Sequence, residues 1–122
     1  YYTIRYDHIP PQRSYGASTL YLSAVPATVR AGVRVGYVAG VSDDGFAALR
    51  ALDVPTELLP AASIGSADLS RFTTIVLGPR VYQVSDALRA ANARLLAWVQ
   101  AGGTLVVQYG QFEMAEPGLM PF

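Results

Sequence analysis

Val33-Arg-Val-Gly-Tyr-Val-Ala39 sets the architecture of this chain, because it is an apolar run bounded by Gly32 and Gly40. Such a run, with few charges, is typical of a strand that is buried on both faces of a parallel sheet. Two later apolar runs, 73–78 and 104–109, also end in polar or glycine residues. Together they predict a parallel α/β sheet, in which ligands sit beyond the carboxyl ends of the strands.

An alternating segment near the start of the chain adds one strand to this prediction. Leu20, Leu22 and Ala24 alternate with more polar neighbours, which is the period of a strand. Right-handed crossovers, with the strand at 33–39 central, predict the core order 2-1-3-4 for the last four strands. The result is a three-layer α/β fold with a mainly parallel sheet. Its strands are expected near 19–25, 33–39, 54–59, 73–78 and 104–109.

Short helices are expected between these strands. Asp43 or Asp44 can N-cap a helix that runs to about Leu52, with Phe46 on its apolar face. The segment 68–72 is expected to form a turn or a single helical turn before the third core strand.

The strongest helical pattern follows Ser85, which is expected to cap a helix over 86–100. One face of this helix is apolar and should pack on the sheet, whereas Arg89 and Arg94 should face solvent. Gly102 is placed to end the helix in the left-handed conformation.

The composition narrows the function classes. A chain of 122 residues with 52% hydrophobic content fits one domain that buries roughly two thirds of its unfolded surface. Nine basic and nine acidic residues cancel, so we expect neither a nucleic acid nor a membrane surface as partner. The chain has no cysteine and all its basic residues are arginine, which excludes thiolate and lysine chemistry.

The first 32 residues differ from the rest, since five of the eight tyrosines lie within the first 21 positions. We expect 1–32 to be an extended arm or linker with one possible edge strand, and 33–122 to be the α/β domain. Because the chain starts at Tyr1 without Met, we interpret it as a fragment of a longer protein. The aromatic arm predicts packing on a sheet edge or a neighbour, including a symmetric homodimer.

The loop at 40–45 has the glycine spacing of a P-loop, but Phe46 occupies the position that requires lysine. Asp43 and Asp44 follow a strand, as the Mg²⁺-binding carboxylates of phosphoacceptor domains do. Such a domain also needs an aspartate near Gly78 and a lysine, and both are missing. We therefore expect one of the two aspartates to cap the following helix.

Nucleophilic and zinc chemistry also lack their partners. Ser42 lies between a strand and a helix, but a nucleophile elbow would need glycine at position 44 and a nearby histidine. The single histidine, His8, lies in the arm, and one histidine cannot form a zinc site without further ligands. The residues therefore predict neither a catalytic residue nor a metal site.

Five passages carry a resemblance to one family over nearly the whole chain. They are Leu95-Leu-Ala-Trp-Val-Gln-Ala-Gly-Gly-Thr-Leu-Val-Val-Gln-Tyr109, Asp68-Leu-Ser-Arg-Phe72, Ile75-Val-Leu-Gly-Pro-Arg-Val-Tyr82, Tyr6-Asp-His-Ile-Pro-Pro-Gln12 and Val35-Gly-Tyr-Val-Ala-Gly-Val-Ser-Asp43. In these passages the chain is similar to the C-terminal class I glutamine amidotransferase-like domain of large bacterial LmbE/PIG-L-type deacetylases, which implies a flavodoxin- or Rossmann-like fold.

The resemblance implies a zinc-dependent N-acetylglucosaminyl deacetylase domain ahead of this one, as its partner in the parent chain. Zinc is expected only in that domain, whose acidic and histidine-rich motif these residues lack, and no cofactor is expected here. Working amidotransferases carry a cysteine in the turn after a strand like 104–109. This turn reads Gln108-Tyr109-Gly110, so the resemblance does not extend to glutaminase activity.

A polar rim at the carboxyl ends of the strands remains as the candidate site. An arginine, two tyrosines and a glutamine can hold a sugar or a carboxylate. Equally, Arg80 can pair with Asp43 while the tyrosine rings close the core. The leading hypothesis is a non-catalytic accessory domain; the alternatives are a sugar or small-molecule binding module that uses the rim, and a stand-alone enzyme. The rim residues are Ser42, Asp43, Arg80, Tyr82, Gln108 and Tyr109.

Overall fold

The computed structural model describes residues 1–120, so Pro121 and Phe122, which end the expected domain 33–122, lie outside the described residues. An antiparallel hairpin comes first, followed by a four-stranded parallel sheet. The strands are β1 (Tyr2–Tyr6), β2 (Ile9–Ser14), β3 (Val35–Val38), β4 (Thr56–Leu58), β5 (Thr74–Leu77) and β6 (Thr104–Val107). The α-helices are α1 (Gly45–Ala51), α2 (Val81–Val84), α3 (Asp86–Ala90) and α4 (Asn92–Gln100), and 3₁₀ turns lie at Ala61–Ser63, Leu69–Arg71 and Phe112–Ala115.

Strand β3 lies inside the parallel sheet, between β4 and β5, and β6 pairs with the far side of β5. The expected neighbours at 33–39 and 73–78 are adjacent, in register from Val35 opposite Thr74 to Val38 opposite Leu77. Counted over all strands, the sheet order is 4-3-5-6. The predicted 2-1-3-4 differs in its numbering because it started from the strand at 33–39 and did not include the hairpin. The chain is an α/β protein with a parallel sheet.

One face of the sheet is covered by α1. Val35 and Tyr37 point to this face together with Val76, as alternation along adjacent parallel strands requires. Phe46 and Leu49 of α1 pack against these side chains. The helix ends at Ala51, so Leu52 is exposed instead of completing the apolar face.

The larger core lies on the opposite face. Val38, Ile75 and Leu77 point to this side and are almost fully buried. They belong to the same cluster as Leu88 of α3 and Leu95 of α4. Helices therefore pack on both faces of the sheet, and most of the buried apolar residues belong to the cluster that contains Leu88 of α3 and Leu95 of α4.

The predicted strand at 19–25 is wrong, since residues 15–30 have no regular structure and their side chains are exposed. A period-2 pattern forms a strand only where a partner accepts its backbone hydrogen bonds. In the arm that partnership is local, because β1 and β2 pair with each other. The aromatic rings of Tyr1 and Tyr15 lie beside one another at the open end of this hairpin, with centroids 5.7 Å apart.

The predicted helix at 86–100 is interrupted at Ala91, which separates α3 from α4. The break leaves Asn92 as the first residue of α4, where its side chain is buried and hydrogen-bonded. Both predicted ends are confirmed. The hydroxyl of Ser85 accepts the N–H of Leu88 at 3.2 Å, and Gly102 has φ +104°.

Arg89 and Arg94 are expected to face solvent, but both side chains donate hydrogen bonds to backbone carbonyls of the chain. Nε of Arg89 donates to the carbonyl of Tyr82 at 2.6 Å, and the same guanidinium pairs with Glu116. Nη2 of Arg94 donates to the carbonyl of Ala67 at 2.6 Å. Arg89 therefore ties α3 to α2 and to the segment at Glu116, and Arg94 ties α4 to the loop at Ala67.

Candidate functional site

The predicted rim residues lie where the topology places them, at the carboxyl edge of the parallel sheet. They follow three adjacent strands: Ser42 and Asp43 follow β3, Arg80 and Tyr82 follow β5, and Gln108 and Tyr109 follow β6. Their side chains, however, do not converge on a common open space. Each group makes its own set of contacts, described in turn below.

Asp43 is turned into the loop that follows β3. Its Oδ1 accepts a hydrogen bond from the Tyr37 hydroxyl at 2.7 Å and another from the N–H of Gly45 at 2.8 Å. Its Oδ2 accepts the N–H of Gly40 at 2.8 Å. Asp44, at the N-cap position of α1, makes no capping bond with its side chain. Asp43 is therefore the residue that organises the start of this helix.

These contacts set the ionisation of both partners. Burial acts to raise the pKa of Asp43, but hydrogen bonds from Gly40, Tyr37 and Gly45 outweigh it and lower the pKa below its ordinary value. Burial, together with the neighbouring Asp43 carboxylate, raises the pKa of Tyr37 well above that of free tyrosine. At neutral pH the pair is a carboxylate that accepts from a neutral phenol.

Glycines bring the loops close around this carboxylate. A Cβ on Gly78 would overlap Oδ2 of Asp43 and the backbone nitrogen of Gly40. A Cβ on Gly40 would overlap the carbonyl of Pro79. The loop whose glycine spacing is that of a P-loop is thus packed against the end of β5 and encloses a carboxylate.

Arg80 does not pair with Asp43 among the hydrogen bonds and ion pairs of residues 1–120. Its Nε donates to Oε1 of Gln83 at 2.7 Å, within the same turn. Its backbone is left-handed, with φ +57°, and its N–H donates to the carbonyl of Tyr109 at 2.7 Å. Arg80 therefore links the loop after β5 to the loop after β6.

Tyr82 closes the core. Its hydroxyl donates to Oδ1 of Asn92 at 2.6 Å, and burial raises its pKa to about 12. Nδ2 of Asn92 donates in turn to the carbonyls of Gly118 and Leu119, at 3.0 and 2.8 Å. These buried hydrogen bonds join residues 118 and 119 to the helices α2 and α4.

The remaining rim residues, Gln108, Ser42 and Tyr109, do not enclose a shared space with Arg80 and Tyr82. Oε1 of Gln108 lies 3.3 Å from the Tyr37 hydroxyl, whereas Ser42 and Tyr109 are exposed. Between Arg80, Tyr82 and Gln108 the packing leaves no cavity that would hold a water molecule. In this arrangement the candidate rim is a set of loop-to-loop bonds rather than an open site.

An open groove, which was not predicted from the sequence, lies at the opposite end of the sheet, near the start of β3 and β4. It has a volume of about 660 Å³. Arg34, Arg50 and Arg71 line it, and each comes from a different segment. Each arginine alone reads as an ordinary surface residue, so only the fold brings the three together.

Neither a metal cluster nor a spanning helix is found within residues 1–120. No group of three or more His, Asp or Glu side chains there is arranged to hold a metal ion. His8 lies in the turn of the hairpin, where its ring is 5.9 Å from that of Tyr6. No described helix has the length and apolar character needed to cross a membrane.

No protein-family model, curated protein or solved structure matches the chain.

Proposed function

We propose that this chain is a non-catalytic accessory domain of the class I amidotransferase-like type, with a flavodoxin-like fold, and that it associates with a preceding LmbE/PIG-L-type deacetylase domain. The main support for a non-catalytic role is that the rim residues bond to one another and to nearby loops and do not form an open site. Asp43 accepts three hydrogen bonds, from its own loop and from Tyr37, and the space between Arg80, Tyr82 and Gln108 is too small for a water molecule. Zinc belongs to the preceding domain in this proposal.

The chemistry of the rim supports a structural role. A carboxylate with a lowered pKa is a poor general acid, and Asp43 has its oxygens engaged by N–H and O–H donors. Ser42 is exposed, and the single histidine of the chain, His8, lies in the hairpin. A serine nucleophile needs a base within hydrogen-bond reach, and the neighbouring Asp43 carboxylate already accepts hydrogen bonds from Tyr37, Gly40 and Gly45.

The aromatic surface supports a role in association. Tyr1, Tyr2, Tyr6 and Tyr15 of the hairpin region are all at least 60% exposed. Aromatic residues are enriched in protein–protein contacts, and apolar surface in clusters marks such contacts. We propose that the hairpin packs on the preceding domain in the parent chain, or on a second copy when the chain is alone.

The alternative, a sugar or small-molecule binding module that uses the rim, has less support. Arg80 would have to release Gln83, and Gln108 would have to leave the Tyr37 hydroxyl, before either could bind a ligand. Both changes cost hydrogen bonds that the ligand must replace. A stand-alone enzyme would need these changes and also a base.

The proposal is tested first on the coding sequence upstream of Tyr1, which is expected to encode the acidic and histidine-rich zinc motif of the deacetylase. The parent protein is then assayed for deacetylation with and without residues 33–122. We expect the two forms to share the same zinc dependence while the truncated form is less stable. An upstream sequence without the motif contradicts the proposal.

A second test addresses association directly. Sedimentation of the chain with and without residues 1–18 is expected to show self-association that depends on the hairpin. Glutaminase activity is expected to be absent from both forms. A monomer in both cases, with unchanged stability, would remove the hairpin from the proposal.

A further inference from the structure

The groove at the amino end of the sheet contains cationic groups that the fold does not use. Arg71 pairs with Glu57 and lies over the ring of Phe72, 4.9 Å from its centroid. Nε of Arg34 donates to the carbonyl of Arg71 at 2.6 Å, but its terminal nitrogens make no bond within residues 1–120. Arg50, in the last turn of α1, makes no side-chain hydrogen bond or ion pair there.

The charge of the groove suits a single negative group. Its lining contains three arginines and two carboxylates, Asp53 and Glu57, which leaves one positive charge in excess. Because Arg71 already neutralises Glu57, the unpaired positive groups are those of Arg34 and Arg50. Asp53 would repel a second negative charge, so a monoanion fits better than a doubly charged phosphate.

The rest of the lining is apolar except for Thr56. Val35, Val54, Pro55 and Phe72 contribute to the wall, next to the cationic groups. The volume of about 660 Å³ is within the range of small-molecule sites, which combine apolar walls with a few oriented polar groups. The guanidinium fork also matches the two oxygens of a carboxylate.

We propose that this groove binds a small molecule that carries a carboxylate on an apolar body. Arg50 and Arg34 hold the carboxylate, and the apolar wall contacts the body of the ligand. The site is separate from the rim and does not depend on the proposed association with a deacetylase.

The test is NMR titration of ¹⁵N-labelled chain with three probes: phenylacetate, 2-phenylethanol and inorganic phosphate. Phenylacetate is expected to shift the amide signals of groove residues. The alcohol, which has a similar apolar body without the charge, and phosphate are each expected to bind at least about tenfold more weakly. Phosphate that binds as tightly as phenylacetate, or an absence of shifts with phenylacetate, overturns the proposal.

Variants then locate the interaction. Arg50→Gln is expected to weaken phenylacetate binding by about tenfold or more, the scale of one lost charged hydrogen bond. The matched control is Arg30→Gln, which removes an exposed arginine outside the groove lining and should change nothing. Asp53→Asn removes a repelling carboxylate and is expected to tighten binding. Equal loss in both arginine variants, or weaker binding in Asp53→Asn, contradicts the assignment.

Discussion

The hydroxyl of Tyr37, at the centre of the sheet, donates to Asp43 in the loop beyond it, at 2.7 Å. This bond joins the buried strand β3 to the start of α1, and two backbone N–H groups complete the set around the carboxylate. A residue that the sequence offers as a ligand for metal or sugar is thus used to hold the loop.

Replacing this carboxylate should destabilise the fold. Asp43→Asn removes the charge and leaves only one oxygen to accept the donors, so we expect a loss of about 2 kcal/mol in the free energy of unfolding. Asp44→Asn is the control, because its side chain makes no capping bond, and should stay within about 0.5 kcal/mol. Urea denaturation measures both. Similar losses in the two variants would show that the contacts of Asp43 add no stability.

The same residue makes part of the stability depend on pH. The pKa of Asp43 is lowered in the folded state, so the unfolded chain binds more protons at acidic pH. Its contribution is therefore complete above the unfolded pKa of about 3.9 and is lost as pH falls through the folded pKa. We expect the stability difference between the native chain and Asp43→Asn to shrink below about pH 4. Denaturation series at several pH values measure it, and a difference that grows on acidification contradicts the assignment.

Gly78 is expected to tolerate no side chain. The Cβ of Gly78→Ala would overlap Asp43 and the backbone of Gly40, so the loops must separate, at a cost of about 2 kcal/mol or more. Gly65→Ala is the matched control, since its Cβ would have no atom within 4 Å, and should change stability by less than about 1 kcal/mol. Thermal unfolding distinguishes them. Equal midpoints for the two variants would mean that the loops around Gly78 have room to adjust.

The buried phenol of Tyr82 provides a further test. Tyr82→Phe leaves Oδ1 of Asn92 without its donor in the core and should cost about 1–3 kcal/mol. Tyr109→Phe, at a residue that is 65% exposed, should cost less than about 0.5 kcal/mol. Amide hydrogen exchange in residues 118–120 should also increase in Tyr82→Phe but not in Tyr109→Phe, because the side chain of Asn92 donates to the carbonyls of Gly118 and Leu119. Unchanged exchange in residues 118–120 would show that the hydrogen bonds of Tyr82 and Asn92 do not restrain this segment.

The parallel sheet was predictable because the residues of its central strands themselves have the pattern of buried strands. β3 and β5 are short, mostly apolar runs without charged residues and are followed by glycine or small residues, a pattern typical of buried parallel strands. The strand at 19–25 could not be judged in this way, since its pattern is local and its pairing depends on the rest of the chain. The break at Ala91 was also hidden, because nothing in the sequence around it stops a helix.

The candidate site was also predictable only in part, because its positions follow from the sequence and its side-chain directions do not. Chain topology placed Asp43, Arg80 and Gln108 at one edge of the sheet, as the positions after the strands require. Which way each side chain turns depends on nearby donors, such as the hydroxyl of Tyr37 and the amide of Gly45. The sequence alone does not show which donors lie near each side chain, because that depends on the conformation of the loops.

The outer strands of the parallel sheet, β4 and β6, have three and four residues. Pro55 and Pro60 flank β4, and neither has an N–H to offer. A strand arriving from outside would find too few free backbone groups to form a lasting ladder. The edges of the parallel sheet therefore offer little backbone for pairing with a second copy, even though the chain exposes many aromatic side chains.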